Sequence, residues 1–144
     1  SSKIKRIINK EKKFGLNKLI KFKKFYKKIN LNKKNLIKKL KKIKMKKKII
    51  HGYGASTKGN VLLQFCKFSE KELICMAEIN QDKIGSYTPG SKIPILSEKE
   101  ARSMNPDYML VLPWHFKETI IKREKKYLNN GGKLIFPLPE IEIV

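Results

Sequence analysis

Residues 46–60 read KKKIIHGYGASTKGN. A lysine-flanked apolar run that ends in two glycines around a tyrosine has the pattern of a strand feeding a tight loop. A helical segment follows at residues 60–67, so the unit is strand, loop, helix. In open parallel sheets such a loop is where phosphates bind, because backbone N–H groups and the helix dipole converge there.

The established fingerprints fit this loop poorly. G-x-G-x-x-G needs a glycine at position 57, which is Thr57, and a Walker loop needs Gly-Lys-Ser/Thr where the chain has Lys58-Gly59. The acid that often precedes the glycines of S-adenosylmethionine loops is replaced by Ile50. Spacing alone therefore leaves a phosphate cradle and a plain structural turn both open. Lys58 favours the cradle, since it can set an ammonium beside a diphosphate. Asn60 either caps the helix or donates to a phosphate.

Downstream, apolar runs alternate with helical patterns. Residues 72–79 form a second strand with a continuous apolar centre, as expected of a strand buried on both faces. Residues 86–95 form a loop with a Pro-Gly turn that ends in a short strand. Ser97 caps a helix, with Glu100 completing a capping box. A strand at 107–112, a helix at 116–128, the turn NNGG and a strand from Lys133 follow. The expected fold is α/β, a Rossmann-like parallel sheet with flanking helices.

The charge is uneven. Of the net +23, residues 1–50 carry 22 Lys/Arg against Glu11 alone, a net +21, and the remainder is close to neutral. The apolar residues of this basic part recur at helical spacing, Leu16, Leu19, Ile20, Phe22 and Phe25 in one stripe and Leu36, Ile37, Leu40 and Ile43 in another. Two packed amphipathic helices are expected, with Asn32 capping the second. The division is a basic helical linker segment over 1–46 that packs on a Rossmann-like domain over 47–144. Arg6, Arg102 and Arg123 are the only arginines, which disfavours a nucleic-acid binder, since phosphate and guanine recognition favours the arginine fork.

Cys66 and Cys75 are too far apart for a CxxC site and read as buried thiols in a reducing compartment. No apolar run reaches about 18 residues, and no signal-peptide core opens the chain. A cytoplasmic protein with no membrane partner is expected.

Four ordered stretches then resemble one family: GYGASTKGN (52–60), GSYTPGSKIPI (85–95), PDYMLVLPWHF (106–116) and GGKLIFPLP (131–139). They look like successive signatures of the C-terminal domain of S-adenosylmethionine-dependent nucleotide-sugar C-methyltransferases, and EKKFGLNKL (11–19) extends the likeness over almost the whole chain. The resemblance implies a three-part enzyme with a zinc-binding N-terminal domain, a central methyl-donor domain and this Rossmann-like domain, which helps hold the nucleotide-linked sugar. It further implies that the catalytic base, the S-adenosylmethionine site and the zinc site lie in the other domains, in cis or in trans. This chain then acts as part of a methyltransferase and carries no catalytic residue. Two positions depart from the family pattern: His115 stands where asparagine is usual, and Glu78 where aspartate is.

The substrate-binding candidates are Gly52, Tyr53, Gly54, Ala55, Ser56, Lys58, Gly59, Asn60, Glu78, Tyr87 and Trp114. Glu78 falls where an acid receives ribose hydroxyls in dinucleotide-binding folds. Tyr87 can stack on a base or sugar, and Trp114 lies at the ligand-binding end of a strand. His51 is expected to be a satisfied core histidine. The rival readings are a free-standing nucleotide-binding module for NAD or S-adenosylmethionine and a lysine-rich nucleic-acid-binding protein.

Overall fold

The computed structural model describes residues 2–144. The chain divides into two compact units, one ending at Lys34 and the other spanning Asn35–Val144.

The first unit contains α1 (Ser2–Phe14) and the start of α2 (Leu19–Met45). Gly15, at φ +73°, turns the chain between them, and its N–H bonds the Lys12 carbonyl. The sequence placed a helix start at Asn32, but Asn32 lies inside α2. No Gly or Pro interrupts residues 19–45, and lysine and leucine sustain a helix readily, so the helix runs through. The expected burial of the first stripe also fails. Leu16, Leu19, Ile20, Phe22 and Phe25 are all more than half exposed, as are Ile4, Ile7 and Phe14 on α1. Amphipathic spacing shows which side of a helix is apolar and says nothing of what covers it.

The second stripe does reach a core. Leu36 and Leu40 are fully buried and Ile43 nearly so, packed with Ile50, Leu63, Leu110 and Ile135. These residues cover one face of a sheet made of β1 (Ile50–Tyr53), β2 (Met76–Glu78), β3 (Ile95–Ser97), β4 (Tyr108–Val111), β5 (Lys133–Phe136) and β6 (Glu142–Ile143). The strand order is β3-β2-β1-β4-β5-β6, with β1 to β5 parallel and β6 antiparallel at the edge. Two runs of strands thus wind outward from β1 and β4, whose registers pair Ile50 with Tyr108 and Tyr53 with Val111. The α/β reading holds, with the basic helices preceding the sheet. The two-residue β6 is too short to show a sequence pattern.

On the same face as α2 lies α3 (Thr57–Cys66). Its N-cap is Ser56, whose Oγ accepts the Gly59 N–H at 3.0 Å, so the helix starts three residues earlier than expected and Asn60 is not the cap. The opposite face carries α4 (Glu98–Ser103) and the pair α5 (Lys117–Arg123) and α6 (Lys125–Asn129). Ser97 and Glu100 form the expected capping box. The expected single helix over 116–128 is broken: a 3₁₀ turn spans Trp114–Phe116, and Glu124 separates α5 from α6.

Both cysteines are buried and not joined to each other, and burial pushes the Cys75 thiol up to about 11. Among the described residues no helix is long and apolar enough to cross a membrane, and no three His, Cys, Asp or Glu gather where they could hold a metal.

Candidate functional site

Strand order reverses between β1 and β4, and in open α/β sheets ligands enter the crevice at the carboxyl ends of strands at such a switch point. A cavity of about 330 Å³ lies there. A larger hollow, about 580 Å³, opens beside Asp107, Tyr127 and Gly132 at the opposite ends of β4 and β5. Several of the groups lining that hollow are already paired: Asp107 with Lys48 at 2.8 Å, Arg102 with Glu124 at 2.9 Å, and the Tyr127 hydroxyl, which donates to the Pro106 carbonyl. The smaller cavity is the candidate site.

Its floor is the glycine loop. Gly54 takes φ +77°, a left-handed conformation that side chains adopt at a cost, and an added Cβ would lie 3.0 Å from Pro113. Gly52 and Gly59 serve close packing instead. A Cβ on Gly52 would fall 2.1 Å from the Met76 sulfur, and one on Gly59 2.5 Å from the Leu112 Cβ. The glycine that lets helix and strand approach is therefore Gly59, two positions beyond where the dinucleotide fingerprint puts it.

Most of the loop's backbone donors are already engaged. Gly54 N–H bonds the Ala77 carbonyl, Ser56 N–H bonds Gly54, and Asn60 N–H bonds Ser56. Ala55 N–H donates to the Glu78 carboxylate at 2.8 Å, and the same carboxylate accepts from Ile79 and Asn80. Lys83 stands 3.8 Å from Glu78 and donates to the Ala55 carbonyl. Burial would raise the Glu78 pKa, but the three N–H groups, with Lys83, outweigh it and hold the carboxyl below its ordinary range. Glu78 is thus an ionised staple between the loop and the end of β2. Among the described residues, the loop N–H groups left without a partner are those of Thr57 and Lys58, which open α3.

A second ionic cluster backs the cavity. The Tyr53 hydroxyl donates to Glu124 and accepts from Arg123, both at 3.0 Å. Arg102 donates to both Glu124 oxygens at 2.9 Å, and Arg123 reaches Glu98 at 2.6 Å. Burial, reinforced by the neighbouring Glu124 charge, pushes the Tyr53 phenol well up, so it stays protonated. Glu124 is buried at the break between α5 and α6, where it ties both arginines to the sheet.

The sequence candidates divide by position. Tyr53, Gly54, Ala55, Ser56 and Glu78 line the cavity. Gly52 and Gly59 are packed beneath it, and Lys58 is exposed at the start of α3. Asn60 keeps its side-chain oxygen buried without a hydrogen bond. Tyr87 is exposed in a bridge with Pro94, and Trp114 is half-buried against the core; neither lines the cavity. His51 is fully buried but not satisfied, as neither ring nitrogen makes a hydrogen bond. Burial lowers its pKa, and the nearby Ala101 carbonyl offsets this only in part.

Lys83, Arg123, Ile79 and Phe116 line the cavity without having stood out in the sequence. One signal was present for Arg123, a rare arginine in a chain that otherwise uses lysine. The position before the glycines, where S-adenosylmethionine loops often carry an acid, is Ile50, the first residue of β1, and it packs in the core. The acid at the end of β2, Glu78, is already held by three backbone amides, so these residues do not fit S-adenosylmethionine there.

A model of the C-methyltransferase C-terminal domain family matches residues 1–139. The C-methyltransferase NovU of Streptomyces niveus is 41% identical over 97 residues, which cover 67% of this chain and 23% of that protein. The chain belongs to the C-methyltransferase C-terminal domain family, and it matches about a quarter of the length of this curated relative.

Proposed function

We propose that this chain is the substrate-holding part of an S-adenosylmethionine-dependent C-methyltransferase and that its substrate is a nucleotide-linked keto-sugar. The carrying observation is the cavity at the switch point, with the N-terminus of α3 and Lys58 at its border, in a member of this family. The two unpaired N–H groups of α3 and the Lys58 ammonium are suited to a diphosphate. Lys83 and Arg123 also line the cavity, but each already faces a carboxylate, Glu78 and Glu98 respectively, so the charge for a diphosphate comes from α3. S-adenosylmethionine supplies the methyl group from another part of the enzyme, and zinc, if the enzyme carries it, also lies outside these residues. What this chain does is bind and orient.

Titration calorimetry with a thymidine-diphosphate sugar tests the reading. Lys58→Ala removes one charge-assisted hydrogen bond, about 1.5–3 kcal/mol, so affinity should fall roughly 10- to 150-fold. Failure of the wild-type chain to bind any nucleotide sugar would overturn the proposal. Equal affinity of wild type and Lys58→Ala would remove the diphosphate from α3. Incubated alone with S-adenosylmethionine and keto-sugar nucleotides, the chain should yield no methylated product.

A further inference from the structure

We propose that the cavity receives the nucleobase of the substrate, held between Ile79 and Phe116, while the diphosphate lies outside it on the N-terminus of α3. The inference rests on the nucleotide-sugar reading and adds which part of the nucleotide enters the cavity.

The walls decide against a diphosphate inside. Two carboxylates, Glu78 and Glu98, face two cations, Lys83 and Arg123, so the lining charges cancel. Each cation is already engaged, Lys83 with the Ala55 carbonyl and Arg123 with Glu98 and the Tyr53 hydroxyl. A multiply charged anion would meet carboxylates whose neutralising partners it would have to take away. The loop amides that line the cavity are equally occupied, because Glu78 holds Ala55, the Ala77 carbonyl holds Gly54 and the turn holds Ser56. The unpaired donors lie at Thr57 and Lys58, which are not in the wall.

A flat, neutral, aromatic group fits better. Ile79 follows β2 and Phe116 follows β4, so the two come from opposite sides of the switch point. Both line the cavity, yet they remain 62% and 57% exposed. Large apolar side chains left in water at a cavity mouth gain by stacking on a ring, and every base offers such a face. His115 packs its ring against Phe116 with centroids 4.2 Å apart, which supports the phenyl from outside the cavity. In the wall, the Arg123–Glu98 pair offers a donor and an acceptor to the edge of a base. A volume of about 330 Å³ is at the low end for small-molecule pockets. It accommodates a base and not a whole nucleotide sugar, so the remainder must extend out, toward α3.

Calorimetry or ligand-observed NMR on the chain, with four probes, tests this: thymidine diphosphate, uridine diphosphate, thymidine and inorganic pyrophosphate. Phe116→Ala and Ile79→Ser should each weaken the better nucleoside diphosphate about 10-fold and leave pyrophosphate unchanged. Lys58→Ala should weaken the diphosphate and pyrophosphate and spare thymidine. Both cavity residues are exposed, so circular dichroism should show the variants folded. If a nucleoside diphosphate binds and neither cavity substitution weakens it, the base lies elsewhere and the inference fails, while the nucleotide-sugar reading stands. Absence of binding by both diphosphates would overturn both.

Discussion

The carboxylate of Glu78 accepts the amide hydrogen of Ala55 at 2.8 Å, across 23 residues of sequence. Through this bond the end of β2 fixes the loop that follows β1. Glu78→Gln keeps the shape and removes the charge, and should cost about 1.5–3 kcal/mol in a denaturant titration. The sign of its pH dependence follows from the lowered pKa. The folded pKa lies below the ordinary 4.5, so the contribution is complete above about pH 4.5 and fades as pH falls through the folded value. Wild type should lose this increment on acidification, and Glu78→Gln should not.

His51 gives a dependence at higher pH. Burial lowers its pKa from 6.5, so the folded chain takes up a proton less readily than the unfolded chain. Stability should decline as pH falls below about 6.5, with a slope of at most about 1.4 kcal/mol per pH unit. His51→Leu fills the site without unpaired nitrogens and should flatten the unfolding midpoint between pH 7.5 and 5.5. A wild-type midpoint that is itself flat over this range would show that the ring has a partner.

Tyr53→Phe takes the hydroxyl away from Glu124 and Arg123 together. Because both partners are charged, the loss should be about 1.5–3 kcal/mol. Glu124→Ala should cost at least about 3 kcal/mol, since it strips Arg102 of its bidentate partner, and the partial exposure of the arginines keeps it near that lower bound. Thermal unfolding of the two variants side by side checks the order.

Leu40 is fully buried, whereas Phe25, on the same helix, is 64% exposed. Leu40→Ala should cost about 2–5 kcal/mol, and Phe25→Ala should stay within about 0.5 kcal/mol. Equal losses would mean that the first stripe is covered in solution.

The strands and the loop were legible because their signals are local. An apolar run before Gly52 and Gly54 yields β1 and its turn, and Ser97 with Glu100 reads directly as a cap. Helix ends were less legible. Lys47 and Lys67 take the left-handed conformation where glycine would have been the sign, so nothing in the sequence marks the stops. The site was legible by half. The cavity needs Ile79, Lys83, Phe116 and Arg123, which come from separate segments and converge through strand order alone. Glu78 was legible as an acid at a strand end, but its engagement with three backbone amides belongs to tertiary structure.

The uncovered stripes of α1 and the start of α2 have a colloidal consequence. Residues 2–34 carry 14 lysines and arginines against one acid, beside apolar side chains left in water. In dilute buffer the like charge of these helices holds copies of the chain apart. Screening shortens from about 10 Å at 0.1 M salt to about 3 Å at 1 M, and the repulsion then fades while the attraction between greasy surfaces grows. Light scattering should therefore rise with added sulfate, the reverse of a protein held together by ion pairs, and Phe22→Ser with Phe25→Ser should suppress the rise.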